Sequence, residues 1–207
     1  AIGLTLDLQP SQLGLLISIH AVGAALGYFP AGVIADRTQN QGRLLLITFW
    51  WVGIGYAIAS LAPNFWSLAL LLALAGMGDA AWHPIATGIL VRQMPGRRGQ
   101  ALGIHAVGGT LAEVLSPLMV GLLLTMLDWR NTLLVSTLPA ILMGLAFIVY
   151  SPSIPRATQH RIGRSELAEL RRNWSSPKGF TLIAGLSTYN MALIALMTIT
   201  PLFLQRE

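Results

Sequence analysis

The chain has 207 residues, of which 54% are hydrophobic and only 10% are charged. A soluble domain carries about 25% charged residues, so this composition excludes a disordered chain and most soluble enzymes. The net charge of +5 in so apolar a chain favours a membrane protein with cationic loops over a nucleic-acid-binding protein. No cysteine is present, which excludes disulfides and cysteine-based zinc or iron–sulfur sites.

Six apolar runs are each long enough to cross about 30 Å of hydrocarbon as a helix. In chain order they cover residues 12–35, 44–62, 65–91, 100–127, 131–150 and 179–204. They predict an all-α membrane protein with six transmembrane helices. Residues 1–10 are predicted to be a loop that ends at Pro10-Ser11, a favourable helix start. Trp66 and Trp129 stand at run ends and fit an aromatic belt at the outer membrane interface.

Basic residues alternate between the connections. Eleven of the thirteen lysines and arginines lie in residues 36–43, 92–99 and 151–178, and only Arg130 and Arg206 lie on the other side. This asymmetry predicts that the three basic segments are cytoplasmic and that residue 1 lies outside. A chain that starts outside is expected to lack one upstream helix.

The longest connection, 151–178, begins with prolines and contains a helix-like stretch at 165–174. We interpret it as a cytoplasmic linker with a short surface helix, which is either simply solvated or contacts lipid headgroups or a partner. The predicted organisation is therefore a helical part at 1–151, the linker at 152–177, and one further helix at 178–207.

A pattern of small and charged residues joins the first two runs. It consists of Gly32, Asp36 and Arg37, followed by Gly42 and Arg43. This loop resembles the signature of the major facilitator superfamily, although Thr38-Gln39-Asn40-Gln41 separates its two halves and one basic residue is missing. Physically, the charges and glycines would form a conformational latch, with Asp36 pairing with arginines or capping a helix and Gly32 allowing close contact.

The resemblance implies that the six runs are the second to seventh helices of a twelve-helix transporter. The long basic linker then falls where that family joins its two six-helix halves. The first helix and most of the second half would belong to a missing remainder of the same transporter. The resemblance also implies alternating access in the bilayer, and we expect the bacterial inner membrane.

Two segments, 76–84 and 102–109, look like parts of the fosmidomycin-resistance-type branch, which is known for drug efflux by proton antiport. The fifth helix also resembles the Gly-Pro motif of antiporters, with Ser116 where glycine is usual. The motif residues are Gly109, Ser116, Pro117 and Gly121.

Five ionisable residues lie inside the apolar runs, where a charge costs several kcal/mol and therefore suggests function. They are His20, Asp79, His83, His105 and Glu113. Asp79 and His83 share one helical face because they are four residues apart. We expect these groups to form a proton relay, since burial raises the pKa of a carboxyl and histidine titrates near neutrality. The alternative is that they join helices by hydrogen bonds.

Other residues complete the predicted site. Tyr189 and Asn190 interrupt the last apolar run, and with Trp82 they are candidate substrate contacts.

Gly23, Gly27 and Ala31 form a flat helical face for close packing. No metal site, cofactor or nucleic-acid partner is expected.

The sequence thus predicts a secondary active transporter, a proton-coupled exporter of a small molecule or drug, and not an enzyme. A proton-driven importer or symporter of the same superfamily is the first alternative. A membrane-embedded enzyme or sensor is the second.

Overall fold

A computed structural model describes residues 2–158 and 163–204, and its regular elements in those ranges are all helical. The helices are α1 (Ile2–Thr5), α2 (Pro10–Arg37), α3 (Gln41–Ala59), α4 (Phe65–Gln93), α5 (Arg98–Met126), α6 (Trp129–Val135), α7 (Leu138–Tyr150), α8 (Arg164–Trp174) and α9 (Pro177–Leu204). Two compact units divide the chain, Ala1–His160 and Arg161–Glu207.

Six segments are long and apolar enough to cross a membrane, which confirms the predicted all-α class. They are Pro10–Arg37, Gln41–Ala59, Phe65–Gln93, Pro95–Met126, Trp129–Ser153 and Pro177–Leu196. The start of α2 at Pro10 is also as predicted, because proline has no N–H to satisfy in the first helical turn.

Two local predictions were wrong. Residues 1–10 are not entirely loop, since Ile2–Thr5 forms a short helix whose Ile2 packs against the core. The run at 131–150 is not one helix, because Ser136 and Thr137 separate α6 from α7. Pro139 lies at the start of α7 and offers no N–H to the carbonyl of Val135, so the α-helical ladder is interrupted there.

Unit 1 is organised around the contact between α2 and α4. Gly23, Gly27 and Ala31 are buried on one stripe of α2, as predicted. A β-carbon on Gly23 would overlap the backbone of Ala73, and one on Gly27 would lie 2.6 Å from the carbonyl oxygen of Met77. Glycine therefore allows the two helix backbones to touch directly, which is how membrane helices gain van der Waals contact without a hydrophobic driving force.

A buried cluster closes one end of unit 1, where α3 ends and α6 begins. Leu16, Ala59, Leu68 and Trp129 belong to it. Trp129 is only 3% exposed, so its predicted place in a lipid-facing belt was wrong. Trp66 is 70% exposed and remains a candidate for that belt.

Arg130 and Asp128 tie the same end together. Arg130 donates to the carbonyl oxygens of Ser60 (2.8 Å) and Ala62 (2.6 Å), which follow the last turn of α3. Asp128 caps α6 by accepting from the backbone amides of Arg130 and Asn131. The backbone hydrogen bond from Asn131, followed by its side-chain bond and that of Arg130, lowers the pKa of Asp128.

Unit 2 consists of α8 and α9, which contact each other. The first helix begins at Arg164, one residue before the predicted surface helix, and has its basic residues Arg171 and Arg172 in the last turn. The second begins at Pro177 and contains the predicted final span.

Candidate functional site

Asp79 is the middle residue of α4, a helix of 29 residues that is otherwise almost entirely apolar. Its side chain is exposed and has no hydrogen-bond or ion-pair partner among the described residues. Its carboxylate acts electrostatically on the hydroxyls of Tyr28 from α2 and Tyr56 from α3. Among the described residues, no cation pairs with this carboxylate.

His83 lies one turn beyond Asp79 on the same face, as predicted, and is exposed. Its ring stacks on Tyr28, with centroids 5.8 Å apart and planes inclined by 23°. An Asp and a His at this spacing lie about 6 Å apart along the helix axis.

His20 occupies a different position from the other ionisable residues. Its Nε2 lies 2.7 Å from the hydroxyl of Tyr56, and its backbone and ring lie against Gly76. The hydrogen bond joins α2 to α3 where both contact α4. His20 therefore has the interhelical contact that the alternative interpretation expected, and it lies on the same set of helices as Asp79.

The fifth helix, α5, meets α4 through one ring pair. His105 stacks on Trp82 with centroids 5.0 Å apart and planes inclined by 29°. Since the two helices run antiparallel, this contact places Glu113 level with Leu74. Glu113 is then roughly 7 Å along the axis from Asp79, away from His83.

Most of α5 is exposed, and this includes Glu113 and the four residues of the predicted fifth-helix motif. Neither Gly109 nor Gly121 would bring a new β-carbon within 4 Å of another group. Ser116 and Pro117 lie between them on the continuous helix Arg98–Met126. The antiporter role of this motif stays a prediction.

The predicted latch lies where α2, α4 and α7 end and α3 begins, which we call the basic end of unit 1. Asp36, Arg37 and Arg43 are exposed there, Gly32 is half-buried, and Gly42 is buried. A β-carbon on Gly42 would overlap the carbonyl of Ser151, so this glycine allows α3 to touch the segment after α7. Asp36 makes no hydrogen bond or ion pair within the described ranges, and its latch role stays a prediction.

Gln41 links the helices at the basic end by hydrogen bonds, although it belongs to the stretch Thr38–Gln41 that interrupts the signature. It is 2% exposed. Its amide nitrogen donates to the carbonyl oxygen of Ala35 (2.9 Å), and its amide oxygen accepts from Arg92. Gln41 thereby bridges α2 and α4 from the first turn of α3.

Tyr189 and Asn190 lie in unit 2 on α9. Tyr189 is 66% exposed, and the side-chain amide of Asn190 donates to the carbonyl oxygen of Leu186, one turn earlier. Their predicted role as substrate contacts stays a prediction.

Four residues that link helices or lie near the candidate site were not singled out in the sequence. Tyr28 and Tyr56 feel the charge of Asp79. Gln41 bridges helices at the basic end, and Arg130 joins α6 to the end of α3 at the opposite end. The available signal was a polar side chain inside or beside an apolar run. The residue that each one contacts or influences lies 20 or more positions away in the sequence, except Ala35, so the sequence alone does not identify the pair. Among the residues of known placement, no three histidine or carboxylate side chains form a group that could hold a metal ion.

A bundle of apolar, membrane-length helices with ionisable residues at mid-span defines an integral membrane protein of the transporter class. The family model of the Major Facilitator Superfamily matches residues 1–207, and the chain belongs to that family. The family and the names of its relatives indicate a transporter and not an enzyme.

Three relatives illustrate the range of similarity. A probable sugar efflux transporter of Helicobacter pylori is 30% identical over 154 residues, which are 72% of this chain and 38% of that protein. A probable 4-methylmuconolactone transporter of Cupriavidus pinatubonensis is 25% identical over 177 residues, 82% of this chain and 41% of that protein. A putative metabolite transport protein of Haemophilus influenzae is 28% identical over 141 residues, 68% of this chain and 34% of that protein.

The chain spans about two fifths of the length of these relatives. Their names do not bear on the fosmidomycin-type branch, which stays a prediction.

Proposed function

We propose that this chain supplies the second to seventh helices of a secondary transporter that exports a small molecule in exchange for protons. The transporter would lie in the bacterial inner membrane with the basic end of unit 1 in the cytoplasm. Its two halves would rock about a site near the bilayer midplane. The remaining helices would come from the rest of the same transporter.

The observation that carries this proposal is the unpaired carboxylate of Asp79 at the middle of α4. A carboxylate at that depth is costly while charged, and no described cation offsets the cost. In the proposed cycle this carboxylate takes up a proton on one side of the membrane and releases it on the other. This exchange is the property that a proton-coupled transporter requires.

The other ionisable residues extend the same arrangement along the bundle axis. Glu113, Asp79 and His83 follow one another from the outer end toward the basic end, each step measuring roughly 6–7 Å. His105 and His83 both contact the ring of Trp82, which lies between them. We assign Asp79 and Glu113 to proton exchange and the histidines His83, His105 and His20 to adjusting it.

The substrate is proposed to be a small organic molecule. Relatives named for sugar efflux and for 4-methylmuconolactone transport favour a compact, oxygen-rich ring compound over a large drug. The efflux names also favour export over the alternative of proton-driven import.

Transport by the complete transporter in inverted membrane vesicles tests the proposal. We expect an imposed pH gradient to drive accumulation of a labelled sugar. Asp79→Asn and Glu113→Gln should each reduce the gradient-driven rate by about tenfold or more, while Asp7→Asn, outside the spans, should leave it unchanged. Unchanged gradient-driven transport in both variants contradicts the relay. Accumulation under the opposite gradient favours the importer.

A further inference from the structure

We propose that four rings on α2, α4 and α5 form the substrate-binding surface of this half of the transporter. The ring wall consists of Tyr28, Trp82, His83 and His105. Its ligand would be an uncharged small ring compound with an apolar face and a hydroxyl- or carbonyl-bearing edge. The inference rests on the proposed transport function and adds to it the residues and the substrate class.

The rings make a continuous series across three helices. Tyr28 of α2 stacks on His83 of α4. Trp82 meets His83 edge to face, with centroids 5.1 Å apart and planes at 77°. Trp82 then stacks on His105 of α5. Each contact lies within the 4.5–7 Å range of favourable ring pairs, so the rings hold one another in position.

The four rings of the wall differ in exposure, and the helices beneath them are packed together. Trp82 and His105 are half-buried, whereas Tyr28 is 47% exposed and His83 is exposed. The packed faces of α2 and α4 fix the backbone beneath Tyr28 and His83, because Gly27 brings the two helices into contact. A preorganised surface of this kind binds a ligand without first having to order its own side chains.

The chemistry of the wall indicates the ligand class. Ring faces offer apolar surface, while the Tyr28 hydroxyl and the imidazole nitrogens offer hydrogen bonds at the edges, the mixture typical of small-molecule sites. The indole N–H of Trp82 is buried and has no hydrogen-bond partner in the described part of the chain. The wall thus retains a donor that the protein itself does not use.

The charge around the wall favours a neutral ligand. Asp79 lies one turn before the wall residue His83 on α4, and in the proposed cycle its carboxylate is neutral whenever it holds the proton. A cation would compete with that proton, and a permanent anion would be repelled once the proton leaves. An uncharged ring avoids both effects, so the surroundings of the wall favour a ligand without a formal charge.

Equilibrium exchange of radiolabelled D-glucose and of γ-butyrolactone in proteoliposomes tests the inference with the complete transporter. The exchange needs no proton gradient, so its result does not depend on the proposed coupling. Tyr28→Leu should raise KM for the exchanged compound roughly five- to tenfold with kcat within twofold, because one stacking surface is lost. Tyr28→Phe should restore most of the affinity.

Phe29→Leu is the matched control, because Phe29 is the next residue of α2, is 54% exposed, and makes no ring contact with the wall. Its KM should change less than twofold. If Tyr28→Leu prevents folding, as judged by thermal unfolding, His105→Leu should raise KM in the same way.

Three results overturn the inference. Equal KM changes in Tyr28→Leu and Phe29→Leu exclude a specific role for the wall. Exchange of neither compound, or stronger competition by the cation tetraphenylphosphonium than by either ring compound, contradicts the substrate class. A loss of pH-driven transport in Asp79→Asn without any change in KM supports the inference, because the wall then still binds its ligand while the proton exchange of the proposed function is lost.

Discussion

Gly23 offers the most direct test of how unit 1 is held together, since its helix lies against the backbone of α4. A β-carbon at this position would lie 2.7 Å from the carbonyl carbon of Ala73. Carbon atoms in favourable contact are about 3.5–4.0 Å apart, so α2 and α4 must separate by about 1 Å. The neighbour is backbone and cannot turn away as a flexible side chain would.

Gly23→Ala should therefore destabilise unit 1 by about 1–3 kcal/mol, the range for overpacked cores. For a chain of this size that corresponds to a fall of roughly 3–10 °C in Tm. The absence of cysteine permits a clean assay in detergent: a single Ser60→Cys reporter, 2% exposed in the wild type, reacts with a thiol-sensitive dye only after unfolding.

Gly14→Ala is the matched control on the same helix, because its β-carbon would meet nothing within 4 Å. Its Tm should stay within about 2 °C of the wild type or rise slightly, since alanine is the better helix former. Equal Tm values for Gly23→Ala and Gly14→Ala would refute the close backbone contact between α2 and α4.

Three further predictions concern the two ends of unit 1. Arg130→Gln removes two hydrogen bonds from a charged donor and should cost about 2 kcal/mol, whereas Arg98→Gln at an exposed site should cost less than about 0.5 kcal/mol, both measured by the thiol assay. Gln41→Leu removes the two hydrogen bonds of a buried amide, one to the carbonyl of Ala35 and one to the charged Arg92, and should lower stability by about 1–3 kcal/mol; a neutral result would contradict the bridge between α2 and α4. The lowered pKa of Asp128 means that its ionised form stabilises the fold above its ordinary pKa, and that this contribution is lost as pH falls through the lowered value. Asp128→Asn should thus lower Tm at pH 7, and its difference from the wild type should shrink below about pH 3; a difference that persists in acid would contradict the capping role.

Local patterns predicted the helices well because the relevant forces act within a few residues. Proline at position 10 starts α2, and six apolar runs have the length of the bilayer. The interruption at Ser136 was not predicted, although Pro139 was present as a signal, because apolar character alone does not reveal where a helical ladder is broken. Trp129 was misplaced for a similar reason, since a tryptophan near a span end is equally compatible with lipid and with a packed helix junction.

The candidate site was predicted only in part. The mid-span positions of Asp79 and Glu113 could be read from the apolar runs around them. The effect of Asp79 on Tyr28 and Tyr56 could not, because these tyrosines come from other helices and tertiary packing alone brings them within range of its charge. Gln41 shows the same limit, since its bond to Arg92 joins residues 51 positions apart.

Proton movement coupled to substrate flux tests the central claim most directly. The complete transporter would be placed in liposomes with a pH-sensitive dye inside, and substrate flow would be started by a sugar gradient alone. The proposal predicts that protons cross the membrane in the direction opposite to the sugar. The dye reports this movement as a change in internal pH, and the change should be lost in Asp79→Asn. Sugar flux with no pH change in the wild type, or an unaltered pH change in Asp79→Asn, would contradict proton exchange through the Asp79 site.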